Sequence, residues 1–331
     1  VDPYLHPWLS GAPPTTAIST LIEILGGDHN TTVENVRLKG APGDARGTNL
    51  LAGIHVMLGD APTPGDVGTG DLTFKNVVAE DMIYGLNVMR FEWSAIKIED
   101  ATATNVGTGV DVEGVFDSSV EISNAEIAVR PQGRAGIYLW VIPSGLAVTG
   151  NTVTGSPAVG AVYMNNTSNA TIAGNTIKDV EVGQWWRAPM YLWRSDDNTI
   201  SGNHFEAVSG GMAGIRLRAG SSGNALEQNH FVLSGLPGWT ATTPYGPGAV
   251  MLDASTYGNA VFEMMFPPRE GIARCQMIWD MTDDPGTTEY DGVPMRFTTG
   301  SRAKTWPSEL HARLKPTPNP NLGFPTGTRD S

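Results

Sequence analysis

The chain has 331 residues and a formal net charge of −13, from 34 acidic and 21 basic side chains. Such a field disfavours nucleic acid and anionic membrane as partners, and the lack of any apolar run of 18 or more residues leaves no candidate spanning helix. The single cysteine, Cys275, excludes an intrachain disulfide.

The chain opens on Val1-Asp2-Pro3-Tyr4, with neither an initiator Met nor a signal peptide, as expected of a processed or trimmed chain. Residues 1–18 read as an N-terminal segment. From residue 19 short apolar runs recur, beginning at Leu21-Ile22-Glu23-Ile24, Gly53-Ile54-His55-Val56, Gly85-Leu86-Asn87-Val88 and Gly109-Val110-Asp111-Val112. The repeat is plainest in the four runs that start at Gly136, Ala161, Pro189 and Gly214, and it ends on Ala249-Val250-Met251-Leu252. After each of those four come a second run, an asparagine and a third run, as in Ala147-Val148-Thr149-Gly150-Asn151-Thr152-Val153. The asparagines are Asn151, Asn175, Asn203 and Asn229, at spacings of 24, 28 and 26. Turn-rich insertions at 60–70, 179–188 (with Trp185, Trp186 and Arg187) and 234–248 (with Trp239 and Tyr245) flank the first run of a unit and are placed to wall a groove. Beyond about residue 267 the pattern fades into Pro, Thr and Gly, which predicts a cap and an extended tail over 267–331.

Each unit reads as three strands of about three to five residues with period-two alternation. Ile137, Leu139, Val148 and Val153 face inward, and Tyr138 and Trp140 outward. One unit cannot bury its own apolar face, so units stack at about 4.8 Å into three parallel sheets around a continuous core. Asn at each bend suits a left-handed backbone, and stacked amides can bond from coil to coil. The fold class predicted is all-β, a solenoid of about nine coils over 19–266.

This repeat resembles that of the pectate-lyase-like superfamily of right-handed parallel β-helices. The resemblance implies a right-handed, single-stranded β-helix, secretion and a bacterial source. It also implies one of a spread of carbohydrate-related activities: polysaccharide lyases, glycoside hydrolases, alginate epimerases, fructan-cleaving transferases, phage tailspikes and non-catalytic surface proteins. Fold alone does not choose among them.

Aligning the coils sorts the outward positions of the first sheet. The third position reads Glu23, His55, Asn87, Asp111, Tyr138, Tyr163, Tyr191, Arg216, Met251; the fifth reads Leu25, Met57, Met89, Glu113, Trp140, Asn165, Trp193, Arg218, Asp253. Aromatic faces suit the C–H faces of sugar rings, and large exposed apolar patches mark sites or interfaces. His55, Arg90, Tyr138, Trp140, Tyr163, Tyr191, Trp193, Arg216 and Arg218 are therefore expected to bind substrate, the alternative being that loops fold over the aromatics.

Asp111 and Glu113, two apart on one strand, are the expected catalytic pair. Their Cα atoms would be about 6.7 Å apart, with carboxyl separations of about 5–8 Å that span both glycosidase geometries. A lyase would instead draw its base and neutralising groups from Arg216, Arg218, Arg194, Arg90, Tyr138 and His55. No Asp-rich calcium cluster, polygalacturonase-type acid motif or alginate-epimerase motif is present. Asp196 and Asp197 read as turn residues, and His204 and His230 as a structural stack rather than metal ligands. No metal or other cofactor is expected. The leading expectation is a secreted bacterial enzyme that hydrolyses or transfers glycosidic bonds of a polysaccharide or oligosaccharide. The rivals are a β-eliminating lyase and a non-catalytic carbohydrate-binding solenoid, trimeric if tailspike-like.

Overall fold

The computed structural model describes residues 19–25, 30–40, 51–57, 69–182, 187–208, 213–232, 248–253, 255–262, 276–280, 289–290 and 293–294. The expected N-terminal segment, Trp185, Trp186, Trp239, Tyr245, Cys275, nearly all of the 60–70 and 234–248 insertions and most of 267–331 lie outside them. Among the described residues every regular element is a strand, and no helix is long and apolar enough to cross a membrane.

The strands pair in parallel from one repeat to the next. The first side follows Ser19–Leu25, Leu51–Met57, Tyr84–Glu92, Thr108–Phe116, Glu126–Ile142, Thr152–Thr167, Met190–Trp193, Ala213–Arg218, Gly248–Leu252 and Gln276–Asp280. The second side is an 11-stranded sheet that starts at Thr31–Glu34. The third side is formed by strands such as Arg37–Lys39, Thr176–Val180, His204–Glu206 and His230–Val232. The strands Glu126–Ile142 and Thr152–Thr167 were expected as separate short pieces. They instead run round the corner from the third side to the first through register shifts at Val129/Gly133 and Gly133/Ala135, which joins the two sides into one 16-stranded sheet. About six turns are complete on all three sides, between Tyr84 and Val232, so nine coils is slightly more than the structure shows.

The interior is a single stack of aliphatic and aromatic side chains. Ile137, Leu139, Val148, Val153 and Ile200 are all fully buried in it, as their alternation requires. Phe205 and Phe231 stack inside it at 4.7 Å with planes 11° apart. The glycine that opens the early units has a steric reason: a Cβ on Gly85, Gly109 or Gly136 would come 2.5–2.7 Å from a carbonyl oxygen of the next coil.

The four asparagines form one ladder: Asn151 Nδ2 donates to Asn175 Oδ1, Asn175 to Asn203 and Asn203 to Asn229, each at 2.9 Å. The expectation that these residues take the left-handed backbone is corrected. The residue before each takes it, at Gly150, Gly174, Gly202 and Gln228, which turns the asparagine amide inward to bond its neighbours. A second ladder, Asn198–Asn224–Asn259, at 2.8 and 3.0 Å, borders the opposite edge of the second sheet. Asp196 accepts the Ser222 N–H and hydroxyl, and Asp197 sits at φ 55, as turn residues do.

Candidate functional site

The register on the first side agrees with the alignment. Glu23, His55, Asn87, Asp111, Tyr138, Tyr163, Tyr191, Arg216 and Met251 follow one another as direct neighbours across the strands. Glu113, Trp140, Asn165, Trp193 and Arg218 form the parallel column. The expectation that these columns face solvent is corrected. Asp111, Glu113, His55, Tyr138, Tyr163, Tyr191 and Arg216 are all buried, while Trp140, Trp193, Arg90 and Arg218 keep partial exposure. The physical reason is rung spacing. Rings on adjacent strands lie at stacking distance, so Tyr138 and Tyr163 (centroids 5.0 Å apart), Tyr163 and Tyr191 (5.6 Å), and Tyr191 and Trp193 (6.2 Å, edge-on) cover one another. They form a second apolar cluster outside the solenoid interior, with Ala135, Val159 and Ala188.

Asp111 and Glu113 are 0% and 2% exposed. The two carboxyls are close enough to affect each other's protonation, and both accept from the same Arg134 nitrogen. Asp111 Oδ1 and Glu113 Oε2 meet no protein donor. Burial pushes the Asp111 carboxyl well above the ordinary range, the Glu113 charge adds to this and Arg134 opposes it. Glu113 is raised too, by burial, against the Arg134 charge. Arg134 Nη1 reaches Asp111 Oδ2 at 3.3 Å and Glu113 Oε1 at 3.4 Å, and its guanidinium lies over the Tyr138 ring, 3.4 Å from the centroid. Burial alone would make Arg134 a weaker base, but Asp111, Tyr138, Tyr84 and Glu113 together outweigh that. Burial pushes the nearby Tyr84 hydroxyl up to about 12, and raises Tyr138 further.

Five rungs of this side thus hold an acid pair, a stacked tyrosine row and a cationic end. At that end Arg216 grips Asp253 with Nη2 at 2.9 and 3.0 Å, and Arg218 Nε reaches the same carboxylate at 3.0 Å. Arg218 also sits 5.1 Å over Trp193, and Arg187 5.0 Å over Tyr191. His55 is set apart, bonded through Nδ1 to Asn87 Oδ1 at 2.6 Å, with its basicity lowered by burial. Arg90 acts on Glu113 through its charge from a left-handed position, φ 62. Reading by alternation missed Arg134 and Tyr84, and placed Arg187 only in a groove-walling insertion. Arg134 and Arg187 precede the first-side runs, where no period applies. The signal available was an Arg one or two residues before such a run.

A family model described as NosD, periplasmic copper-binding protein, matches residues 92–237. No curated protein matches the sequence. Among solved structures, the DFA-IIIase from Arthrobacter chlorophenolicus A6 without its lid is similar, with a TM-score of 0.51 and 15% identity, over 84% of this chain and 72% of that one. The same enzyme in complex with GF2 aligns with a TM-score of 0.49 and 15% identity, over 74% and 67%. This chain has the fold of a right-handed parallel β-helix. At such identity the β-helix itself is what the likeness to DFA-IIIase shows, a fold that also carries a carbohydrate-active enzyme.

Among the described residues no three or more His, Cys, Asp and Glu side chains come together as a metal cluster. One histidine pair does come together. His204 and His230 stack as expected, with Nδ1 atoms 2.9 Å apart.

Proposed function

We propose that this β-helix acts on the glycosidic bonds of a polysaccharide or oligosaccharide, outside the cytoplasm, with Asp111 and Glu113 as its proton-handling pair. The observation that carries the reading is the buried carboxyl pair, both members raised by burial, set beside a row of aromatic rings. Two acids sharing one proton supply a donor and an acceptor from the same place. In the reaction proposed, the glycosidic C–O bond breaks and its leaving oxygen takes the proton of one carboxyl. A water or sugar hydroxyl attacks the anomeric carbon and gives its proton to the other carboxyl. Glycosidase pairs work at about 5 Å or more, with the scissile bond between them. The half-exposed Trp140 and Trp193 offer the adjoining ring-stacking positions, and Arg218 a polar contact. The periplasmic description of the matching family supports the location.

The raised basicity threshold of Tyr84, Tyr138 and Tyr191 argues for hydrolysis or transfer over β-elimination, because a tyrosine base must lose its proton first. The near-complete burial of Asp111 and Glu113 favours a second reading, a non-catalytic carbohydrate-binding solenoid that uses only the accessible tryptophans. One experiment separates the readings. The protein is incubated with neutral and uronate polysaccharides, and reducing ends and absorbance near 235 nm are followed together. Reducing ends alone, lost in Asp111→Asn and Glu113→Gln, support the pair. Both signals mean elimination. Products altered without either signal mean intramolecular transfer, and binding without product means a non-catalytic solenoid.

A further inference from the structure

The row that holds the acid pair continues beyond it. Asn87 neighbours Asp111 across the strands, and His55 neighbours Asn87. At about 4.8 Å per strand, both fall within about 10 Å of Asp111. Trp140 and Trp193 lie on strands past the pair in the other direction. His55 and Asn87 are 2% and 3% exposed. Yet His55 Nε2 and Asn87 Nδ2 meet no hydrogen-bond partner, as Asp111 Oδ1 and Glu113 Oε2 do not. Folded proteins pair about nine in ten of their buried polar groups. These unpaired atoms on three consecutive strands therefore point to a polar partner from outside the chain. The row reaches solvent at Glu23, the exposed neighbour of His55.

The chemistry of that partner follows from the bond inside the pair. His55 Nδ1 and Asn87 Oδ1 are 2.6 Å apart. An amide oxygen only accepts, so the imidazole proton sits on Nδ1 and Nε2 presents a lone pair. Burial lowers the basicity of His55 by more than the Asn87 bond and the Glu23 charge raise it, which keeps the ring neutral. Asn87 Nδ2 presents N–H donors beside it. The hydroxyls of a sugar ring match both, donating to Nε2 and accepting from Nδ2. A carboxylate only accepts, and would set its charge against the Nε2 lone pair. The nearby cations do not offset this, since Arg134 holds Asp111 and Glu113, and Arg90 acts on Glu113.

We propose that His55 and Asn87 form a hydroxyl-reading subsite that takes a neutral sugar residue and refuses a uronate, on the opposite side of Asp111 and Glu113 from the tryptophans. Its place in a chain of sugars rests on the glycosidic-bond reading. The acid pair then marks the boundary between a ring-stacking half and a hydrogen-bonding half.

The test is affinity electrophoresis of the full chain in gels that carry a neutral polysaccharide (glucan, fructan, mannan or xylan) or a uronate one (galacturonan or alginate). The parent is expected to be retarded by a neutral polymer and by neither uronate. The double variant His55→Phe/Asn87→Leu removes both polar partners and keeps their bulk. It leaves neither member of the pair without its partner, so the melting temperature should hold. It should need about tenfold or more polymer for the same retardation, the scale of two lost hydrogen bonds. Parent-like retardation of the folded double variant would overturn the proposal, because water then serves those atoms. So would a parent retarded by a uronate as strongly as by a neutral polymer, or by no neutral polymer, whatever the stability of the variant. Weakened binding in Trp140→Ala with parent-like binding in the double variant would sink the subsite alone and leave the glycosidic-bond reading standing. Weakened binding in the double variant with no product from any polymer would sink that reading and keep the subsite.

Discussion

The Arg134 guanidinium lies over Tyr138, its central carbon 3.4 Å from the ring centroid, and the same group holds Asp111 and Glu113. One planar cation therefore ties the acid pair to the start of the tyrosine row. Removing it leaves a buried acid pair uncompensated, so Arg134→Ala is expected to cost about 3–5 kcal/mol. Arg134→Lys keeps the charge but cannot lie over the ring and reach both carboxyls, and should recover only part of this. Urea unfolding of the two variants measures both, and a loss below about 1 kcal/mol in Arg134→Ala would reject the role.

The acid pair sets a pH dependence. Both carboxyls are raised in the folded state, so the native chain holds a proton at a pH where the unfolded chain has released it. Stability from this pair is present below the ordinary carboxylate range of about 4 and is lost as pH rises from there through the raised folded values. Melting temperature in that window should fall less steeply with pH in Asp111→Asn than in the parent. An equal slope in both would show that the pair does not share a proton.

Ile200 is fully buried in the second sheet and paired with Ile172 and Leu226 on either side. Ile200→Ala is expected to cost about 2–5 kcal/mol in chemical denaturation. A cost below about 0.5 kcal/mol would mean that neighbouring coils close the cavity.

Trp140 and Trp193 lie in one column, separated by Asn165, so about 10 Å lies between them, roughly the span of two sugar residues. Alanine at either position should weaken polysaccharide binding in affinity electrophoresis and leave the melting temperature nearly unchanged. Parent-like binding by both variants would reduce the column to packing.

Much of this was legible in the chain itself. Period-two alternation and coil length placed Asp111 beside Tyr138, and Trp140 two strands from Trp193, because a parallel sheet keeps register by counting. The ladder of Asn151, Asn175, Asn203 and Asn229 was legible for the same reason. What alternation does not encode is what lies above an outward side chain. Arg134 arrives from a corner where the strand turns between sides, and Asp253 folds back onto Arg216 and Arg218 from beyond a strand end. That the carboxyls of Asp111 and Glu113 both turn to Arg134 depends on rotamers chosen by burial, which spacing leaves open.

The two asparagine ladders border the second sheet on both edges, and every rung of each makes the same contact with the next. That makes the coil a unit of inheritance. Excising one whole rung, such as the stretch from Asn175 to Asn203, would rejoin Asn151 to an amide that presents the same donor and acceptor. A single-residue insertion within a strand would unseat both rails at once. Length variation in relatives of this chain is therefore expected to come in whole coils or in the bends, and to spare the distances between rails.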